Sequence, residues 1–135
     1  MSNYSAFEVK EGGVLERVEA ICRHLTSGGS FTDTTPVKLV DVELFIDDGY
    51  IFLVGELAKN GYATTVTVDN VKKVLQLIQA VDAAVSTELA MPSTEEAEEN
   101  GRWKGLVARR DKLIKDYLQT DALEQLGATR ARNKS

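Results

Sequence analysis

The stretch 36–59 constrains the fold more than any other part of the chain, because it is rich in apolar residues and bounded by helix signals at both ends. Thr34 and Thr35 precede it, and Pro36 is its first residue. Threonine hydroxyls can cap the free N–H groups at a helix start, and proline suits the first turn because it has no N–H to lose. It is followed by Asn60-Gly61, a pair that readily takes the left-handed conformation ending a helix. We therefore predict one long helix over residues 36–59.

The same stretch also carries a β-hairpin signal. Asp47-Asp48-Gly49 lies between two runs of β-branched and aromatic residues, 42–46 and 50–54, and an Asp-Gly turn in that setting favours a hairpin. At about 100° per residue the apolar side chains point nearly all round a helix axis, so periodicity leaves both structures open. The end signals favour the helix. Such a helix must be buried on several sides, as a central helix or by packing against another subunit.

The remaining sequence predicts an all-α fold, a small bundle of about four helices with an extended C-terminal arm; the alternative is α+β with a hairpin at 42–54. The other expected elements are a short helix at 14–26, a loop at 27–30, an extended connector at 64–68, a third helix capped by Thr67 or Asp69 and reaching about residue 90, a fourth helix to about Tyr117, and a final turn at 123–127. We expect residues 1–118 to form the body, with an N-terminal arm, and 119–135 the C-terminal arm. Residues 128–135 are too polar to fold alone.

Length and composition indicate one ordinary globular domain. The chain has 135 residues, 43% hydrophobic and 27% charged. No charge-free run approaches the roughly 20 residues that cross a bilayer, and the N-terminus lacks the pattern of a secretory signal. The single cysteine, Cys22, cannot form an internal disulfide, which is the usual situation in a reducing compartment.

One ion pair is expected between the third and fourth helices. The apolar face of the third helix holds Val71, Leu75, Ile78, Val85 and Leu89. That of the fourth holds Trp103, Leu106, Val107, Leu113, Ile114 and Tyr117. Asp82 and Arg110 fall in the middle of these faces, and an antiparallel turn near Pro92 would bring them to similar heights. Because a charge on an apolar face is costly unless paired, we predict that they meet. The alternatives are that each reaches water, or that one pairs across a subunit boundary.

Catalytic and metal-binding patterns are weak, and we expect neither catalysis nor a cofactor. Cys22 and His24 are two positions apart, which on a helix points them away from each other, so we expect Cys22 in the core and His24 on the surface. The carboxylate clusters at 47–48 and 95–99 do not match the spacing of a calcium loop and are expected to be solvated.

The charge is divided along the chain. Residues 1–100 contain 7 Lys/Arg and 17 Asp/Glu, whereas residues 101–135 contain 9 and 4, giving net charges of −10 and +5. A basic face is expected on the fourth helix, formed by Arg102, Lys104, Arg109, Lys112 and Lys115. We expect this face to be solvated or to meet an acidic protein partner, and less so nucleic acid, because Asp111 and Asp116 interrupt it. The charge division allows the chain to bind copies of itself or a charged neighbour head to tail.

Several short motifs follow one another in a recognisable layout. They are Phe31, Thr35-Pro36, the long helix ending at Gly61-Tyr62, a third helix rich in Ala and Val, and the closing Leu123-x-x-Leu-Gly127. This layout, over residues 30–127, resembles the head–tail connector (adaptor) proteins of long-tailed bacteriophages. The N-terminal helix is not part of that pattern.

The resemblance implies a structural protein of the virion neck, assembled in the host bacterial cytoplasm. It implies a homo-oligomeric ring, commonly of twelve subunits, between the portal protein and the next neck or tail protein, through which DNA passes without sequence-specific contact. It also implies that a C-terminal arm, here about 120–135, reaches the portal; Arg130, Arg132 and Lys134 are the candidate partner-binding residues. The alternative function is a small helical nucleic-acid-binding regulator that uses the fourth helix; a small enzyme is a weaker third option.

Overall fold

The computed structural model describes residues 13–91 and 101–131, and over those ranges the chain is helical without a sheet, which confirms the all-α class. Four main helices are present there: α1 (Val14–Ile21), α2 (Leu39–Lys59), α3 (Asp69–Ala90) and α4 (Arg102–Tyr117). A single turn of 3-10 helix (Arg23–Leu25) follows α1, and a short α5 (Ala122–Gln125) follows α4. The expected N-terminal arm before residue 13 and the turn near Pro92 lie outside the described residues.

The centre of the bundle is α3, which packs against α1, α2 and α4. It is buried on so many sides that three of its polar side chains, Gln76, Gln79 and Thr87, are fully enclosed. The sequence favoured a central place for α2, or a second partner for it; α3 takes the centre, and α2 keeps one face in solvent. The single apolar face predicted for α3 covers only part of the surface that the helix buries. The last residue of that predicted face, Leu89, is 55% exposed.

The predicted N-terminal cap of α2 was wrong, because the threonines close a loop before the helix. α2 begins at Leu39, with Lys38 as N-cap and no side-chain cap. The Thr35 hydroxyl lies 2.6 Å from the Val37 carbonyl oxygen and accepts a hydrogen bond from the Thr32 N–H at 3.1 Å. The Leu39 N–H in turn donates to the Thr32 carbonyl at 3.0 Å. This loop satisfies groups that the sequence assigned to a helix start.

The start of α3 differs from expectation in a similar way. Its N-cap is Val68, which leaves the connector in an extended conformation and makes no side-chain cap. Thr67 lies before the cap, and Asp69 is the first helical residue. The carboxylate of Asp69 therefore lies in the first turn, where it interacts favourably with the helix dipole.

The α-helix at 39–59 is continuous, so the hairpin alternative was wrong, and Gly49 has another explanation. A β-carbon at Gly49 would lie 3.2 Å from the Gln79 carbonyl oxygen and 3.2 Å from Asp82 Oδ2. Nearby, Gln79 Nε2 donates to the Ile46 carbonyl at 2.9 Å. The glycine therefore lets α2 and α3 approach closely, and no turn is needed.

Two helices end in the same motif, as the glycines predicted. Gly61 has φ +81° and its N–H donates to the Ala58 carbonyl, while the Tyr62 N–H reaches back to Leu57 at 2.9 Å. These two hydrogen bonds, together with a left-handed glycine, form a Schellman motif. α5 ends identically, with Gly127 at φ +115°.

The chain segments that leave these two motifs pair with each other in a short antiparallel contact, which we call the clasp (residues 61–63 and 129–131). The Ala63 N–H donates to the Thr129 carbonyl, and the Ala131 N–H donates to the Gly61 carbonyl, both at 2.8 Å. Leu123, between α4 and the clasp, is fully buried. Residues 119–131 are therefore packed onto the body and not extended as an arm, and 128–131 are held by backbone pairing that no composition argument revealed. Residues 132–135 lie outside the described part.

Candidate functional site

The structure brings Asp82 of α3 and Arg110 of α4 together, with Arg110 Nη1 2.8 Å from Asp82 Oδ1. Their side chains are only 14% and 22% exposed. The apolar face of α4 faces α3 as expected, with Leu106 and Ile114 buried on either side of the arginine. The pair is thus enclosed between the two helices within one chain and not shared across a subunit boundary.

The electrostatics of the pair depend on how little water reaches Asp82. Burial raises the pKa of Asp82 above its usual value; the hydrogen bond and positive charge of Arg110 lower it in part, and the nearby Asp48 carboxylate raises it further. Burial would lower the pKa of Arg110, but its bonds to Asp82 and Asp111 outweigh that effect and raise it. Arg110 has further partners besides Asp82: its Nε lies 3.2 Å from Asp111 Oδ1, and its guanidinium lies over the Phe52 ring at 5.4 Å. The two members of the pair therefore differ in the contacts that remain when the other is removed.

Arg130, a candidate partner-binding residue, makes its described contacts within its own chain. Its guanidinium lies over the Tyr62 ring at 3.9 Å, its Nη1 donates to the Asn60 carbonyl at 2.7 Å, and its Nε donates to Glu124 at 3.0 Å. The Tyr62 hydroxyl donates to the Thr120 carbonyl at 2.9 Å. These contacts fasten the clasp to the end of α2. The other two candidates, Arg132 and Lys134, lie outside the described residues.

Cys22 and His24 separate as expected, one in the core and the other at the surface. Cys22 is fully buried, and burial together with the nearby Glu88 carboxylate raises its pKa to about 12. His24 is 43% exposed, with Nε2 3.0 Å from a Glu88 oxygen; Arg102 Nε lies 3.7 Å from the same oxygen. Sequence spacing could not have found Glu88, because it comes from the far end of α3. Cys22 is a thiol, not a thiolate, near neutral pH, so it is a poor nucleophile.

The face of α2 turned away from α3 carries three large apolar side chains, Val40, Leu44 and Ile51, which we call the outer stripe. They are 60%, 56% and 63% exposed. On a helix they fall within about 40° of one another. Asp41 and Asp48, both exposed, border the stripe on one side. An apolar centre with a charged border is the arrangement found at protein–protein interfaces.

The outer face of α4 has the opposite character. All five basic residues predicted for it are exposed: Arg102, Lys104, Arg109, Lys112 and Lys115. Lys112 pairs with Asp116 at 3.0 Å on that face. Within their helices, α2 holds five acidic and one basic residue and α4 holds six basic and two acidic, so their net charges are −4 and +4.

Under the clasp there is a small cavity of about 20 Å³, lined mainly by the connector between α2 and α3 and by residues of the clasp. That volume holds about one water molecule, not a cofactor. Among residues 13–91 and 101–131, no group of three or more histidine, cysteine or carboxylate side chains is placed to hold a metal ion.

Comparison of the chain with known protein families, with curated proteins and with solved structures found no match. Within the described ranges no helix is both long and apolar enough to span a membrane. The features that bear on function are therefore the outer stripe, the basic face of α4, the buried ion pair and the clasp.

Proposed function

We propose that this chain is a structural subunit of a ring-forming head–tail connector in the neck of a long-tailed bacteriophage, joining portal to tail and letting DNA pass. Its work is geometric: each copy contacts its neighbours, the portal on one side and the next neck or tail component on the other. The acidic charge of residues 1–100 suits a channel wall, because it repels DNA phosphates and lets the duplex slide.

The observation that carries the proposal is the outer stripe. Val40, Leu44 and Ile51 are each more than half exposed although they lie on the most apolar of the described helices. Exposed large apolar side chains grouped on one face of a helix form a candidate interface. A subunit that spends its working life in an assembly covers such a surface with its neighbour.

The residues of the connector-like layout support the proposal in a second way, because several of them have a specific role in the fold. Phe31 and Thr35 are buried in and beside the loop before α2, and Tyr62 is buried beneath Arg130. Leu123 fills the core below α5, and Gly127 provides its left-handed stop. Residues that fix an architecture are those expected to be shared by proteins with that architecture.

The basic outer face of α4 favours one alternative, a nucleic-acid-binding regulator. Phosphate contacts by such a face would make DNA binding steeply dependent on salt. The Lys112–Asp116 pair and the exposed Asp111 weaken the positive field of the face. We therefore prefer a protein partner for α4.

The test is electron microscopy of the purified chain mixed with the portal protein encoded in the same genome. The proposal expects closed rings on the portal, with copies in lateral contact. A variant with Val40, Leu44 and Ile51 all changed to serine should stay folded and lose the rings. The matched control changes Leu89, an exposed apolar residue of α3, to serine. It should keep the rings.

Two results would overturn the proposal. One is that the chain does not associate with the portal at any protein concentration. The other is a sequence-specific DNA complex in which α4 enters the major groove, which would establish the regulator instead.

A further inference from the structure

We infer that the outer stripe of α2 in one copy packs against the outer face of α4 in the next copy, so that the ring contact is heterologous. This inference rests on the proposed function and adds to it the two surfaces that meet. Its occupant is a second copy of this chain, and the argument is charge, shape and the placement of the two faces.

Charge complementarity selects α4 as the partner of α2. The exposed charged residues of α2 include Asp41 and Asp48 beside the outer stripe, whereas the outer face of α4 exposes five basic residues and two acidic ones. If α2 met α2, Asp41 and Asp48 of two copies would approach each other. If α4 met α4, Arg109 and Lys115 of two copies would do the same. Like charges placed together at an interface are unfavourable, so a contact of unlike helices is preferred.

Shape complementarity points the same way. The outer face of α4 has two small exposed residues at its centre, Gly105 and Ala108, between its basic side chains. A β-carbon placed at Gly105 would meet nothing within 4 Å, so the surface there is open. The outer stripe presents branched side chains, Leu44 and Ile51, beside Asp41 and Asp48. Large apolar side chains of one helix can therefore pack over small residues of the other, with the charges at the rim.

The placement of the two helices makes the contact head to tail. Both pack on α3, and their outer faces are turned away from it. Every copy therefore offers one α2 surface and one α4 surface at different places on the molecule. A contact between two different surfaces repeats from copy to copy and closes into a ring when the rotation allows. Each contact can be weak, because a template such as the portal raises the effective concentration of neighbours.

The experiment is cysteine crosslinking of portal-bound rings, examined in parallel by electron microscopy. Leu44→Cys, Ala108→Cys and the double variant are each treated with a flexible bis-maleimide. The native Cys22 is buried with a pKa of about 12, so it serves as a silent background, and the unsubstituted chain controls for it. Both substituted positions are exposed, so the variants keep the fold.

The inference expects no crosslinked product from either single variant and a ladder of dimers, trimers and larger products from the double variant. Dimers from Leu44→Cys alone would show that α2 meets α2, and dimers from Ala108→Cys alone would show that α4 meets α4. Either result, or intact rings without a ladder, overturns the inference and leaves the proposed function standing. Protection of Ala108→Cys by added duplex DNA would also overturn it. The absence of rings from the micrographs of every variant and of the unsubstituted chain would overturn the proposed function itself.

Discussion

The inner and outer faces of α2 are built from the same kinds of residue and are treated differently by the fold. The inner face buries Val42, Ile46 and Leu53 completely and brings Gly49 against the backbone of α3. The outer face leaves Leu44 and Ile51 in water, and a β-carbon at its Gly55 would meet nothing within 4 Å. The inner face is therefore packed against α3. The outer face has apolar residues like those of an interface, but they stay exposed in the single chain.

The comparison shows why a helix that is apolar all round did not become the centre of this bundle. α3 contains three fully buried alanines, Ala80, Ala83 and Ala84, which allow neighbouring helices to approach it closely. α2 buries larger side chains along its length, and Gly49 marks the point where its backbone comes close to α3. High total hydrophobicity therefore did not place α2 at the centre, and the central helix combines buried alanines with buried large side chains.

The largest expected effect separates two neighbouring residues of α2. Leu53→Ala should lower the free energy of unfolding by about 3 kcal/mol, because it removes a fully buried side chain and leaves a cavity. Ile51→Ala, at a position 63% exposed, should change it by less than about 0.5 kcal/mol. Urea denaturation of the free chain measures both. Equal losses would mean that the outer face is already buried in the monomer.

The buried ion pair should show an effect of comparable size that differs between its two partners. Arg110→Met leaves Asp82 enclosed beside Asp48 and should cost about 2–4 kcal/mol near neutral pH. Asp82→Asn should cost less, about 1–2 kcal/mol, because Arg110 keeps Asp111 and the Phe52 ring. The two single variants and the double variant form a thermodynamic cycle. A coupling energy near zero would contradict a working pair.

The same pair predicts a pH dependence. The pKa of Asp82 is raised in the folded state, so the folded chain binds more protons, and this carboxyl lowers stability as pH rises from about 3.8 through its raised pKa. Loss of Arg110 raises that pKa further. The destabilisation by Arg110→Met should therefore shrink on acidification, as Asp82 becomes neutral. Denaturation at several pH values checks this, and in the Asp82→Asn background the shrinkage should disappear.

Two glycines of α2 form a matched test of its faces. Gly55→Ala should raise the free energy of unfolding by about 0.5–1 kcal/mol, because alanine favours the helix and its β-carbon meets nothing. Gly49→Ala gains the same propensity but meets the Gln79 carbonyl at 3.2 Å, so the net change should be zero or a loss of about 1 kcal/mol. Thermal denaturation compares them. Equal gains would show that the α2–α3 contact yields easily.

An effect of similar size is expected at the end of α2, where the clasp holds it. Tyr62→Phe removes the hydroxyl that donates to the Thr120 carbonyl and should cost about 1 kcal/mol. Tyr117→Phe is the control, because the structure shows no hydrogen bond from that hydroxyl within the described chain, and it should be nearly neutral. A larger loss for Tyr117→Phe than for Tyr62→Phe would refute the role assigned to the clasp.

Helical periodicity and glycine chemistry predicted much of this fold from the sequence. The two left-handed glycines, Gly61 and Gly127, ended their helices where expected, because only a residue without a β-carbon takes that conformation freely. The charges at Asp82 and Arg110 were found by helical angle, because each stood alone on an apolar face. These are local signals, and they survive packing.

What the sequence did not reveal depends on contacts between distant segments. The residues next to Gly49 in the sequence fit a hairpin turn as well as a close contact between two helices. Only the position of Gln79 in the folded chain distinguishes the two. Thr35 could cap a helix or close a loop. Its hydroxyl lies within hydrogen-bond distance of the Thr32 and Val37 carbonyl oxygens, so it closes the loop. The clasp between 61–63 and 129–131 joins residues nearly seventy positions apart through backbone groups, which every sequence possesses.

The central claim, that the outer face of α2 is covered in the assembly, is tested most directly by the reactivity of one side chain. In an Ile51→Cys variant, the rate of maleimide labelling is measured for the free chain and for the chain assembled on the portal, with Cys22 buried and silent in both. The account predicts rapid labelling of the free chain and at least a tenfold slower rate in the assembly. Equal rates in the two states would show that the outer stripe stays in solvent and would contradict the account.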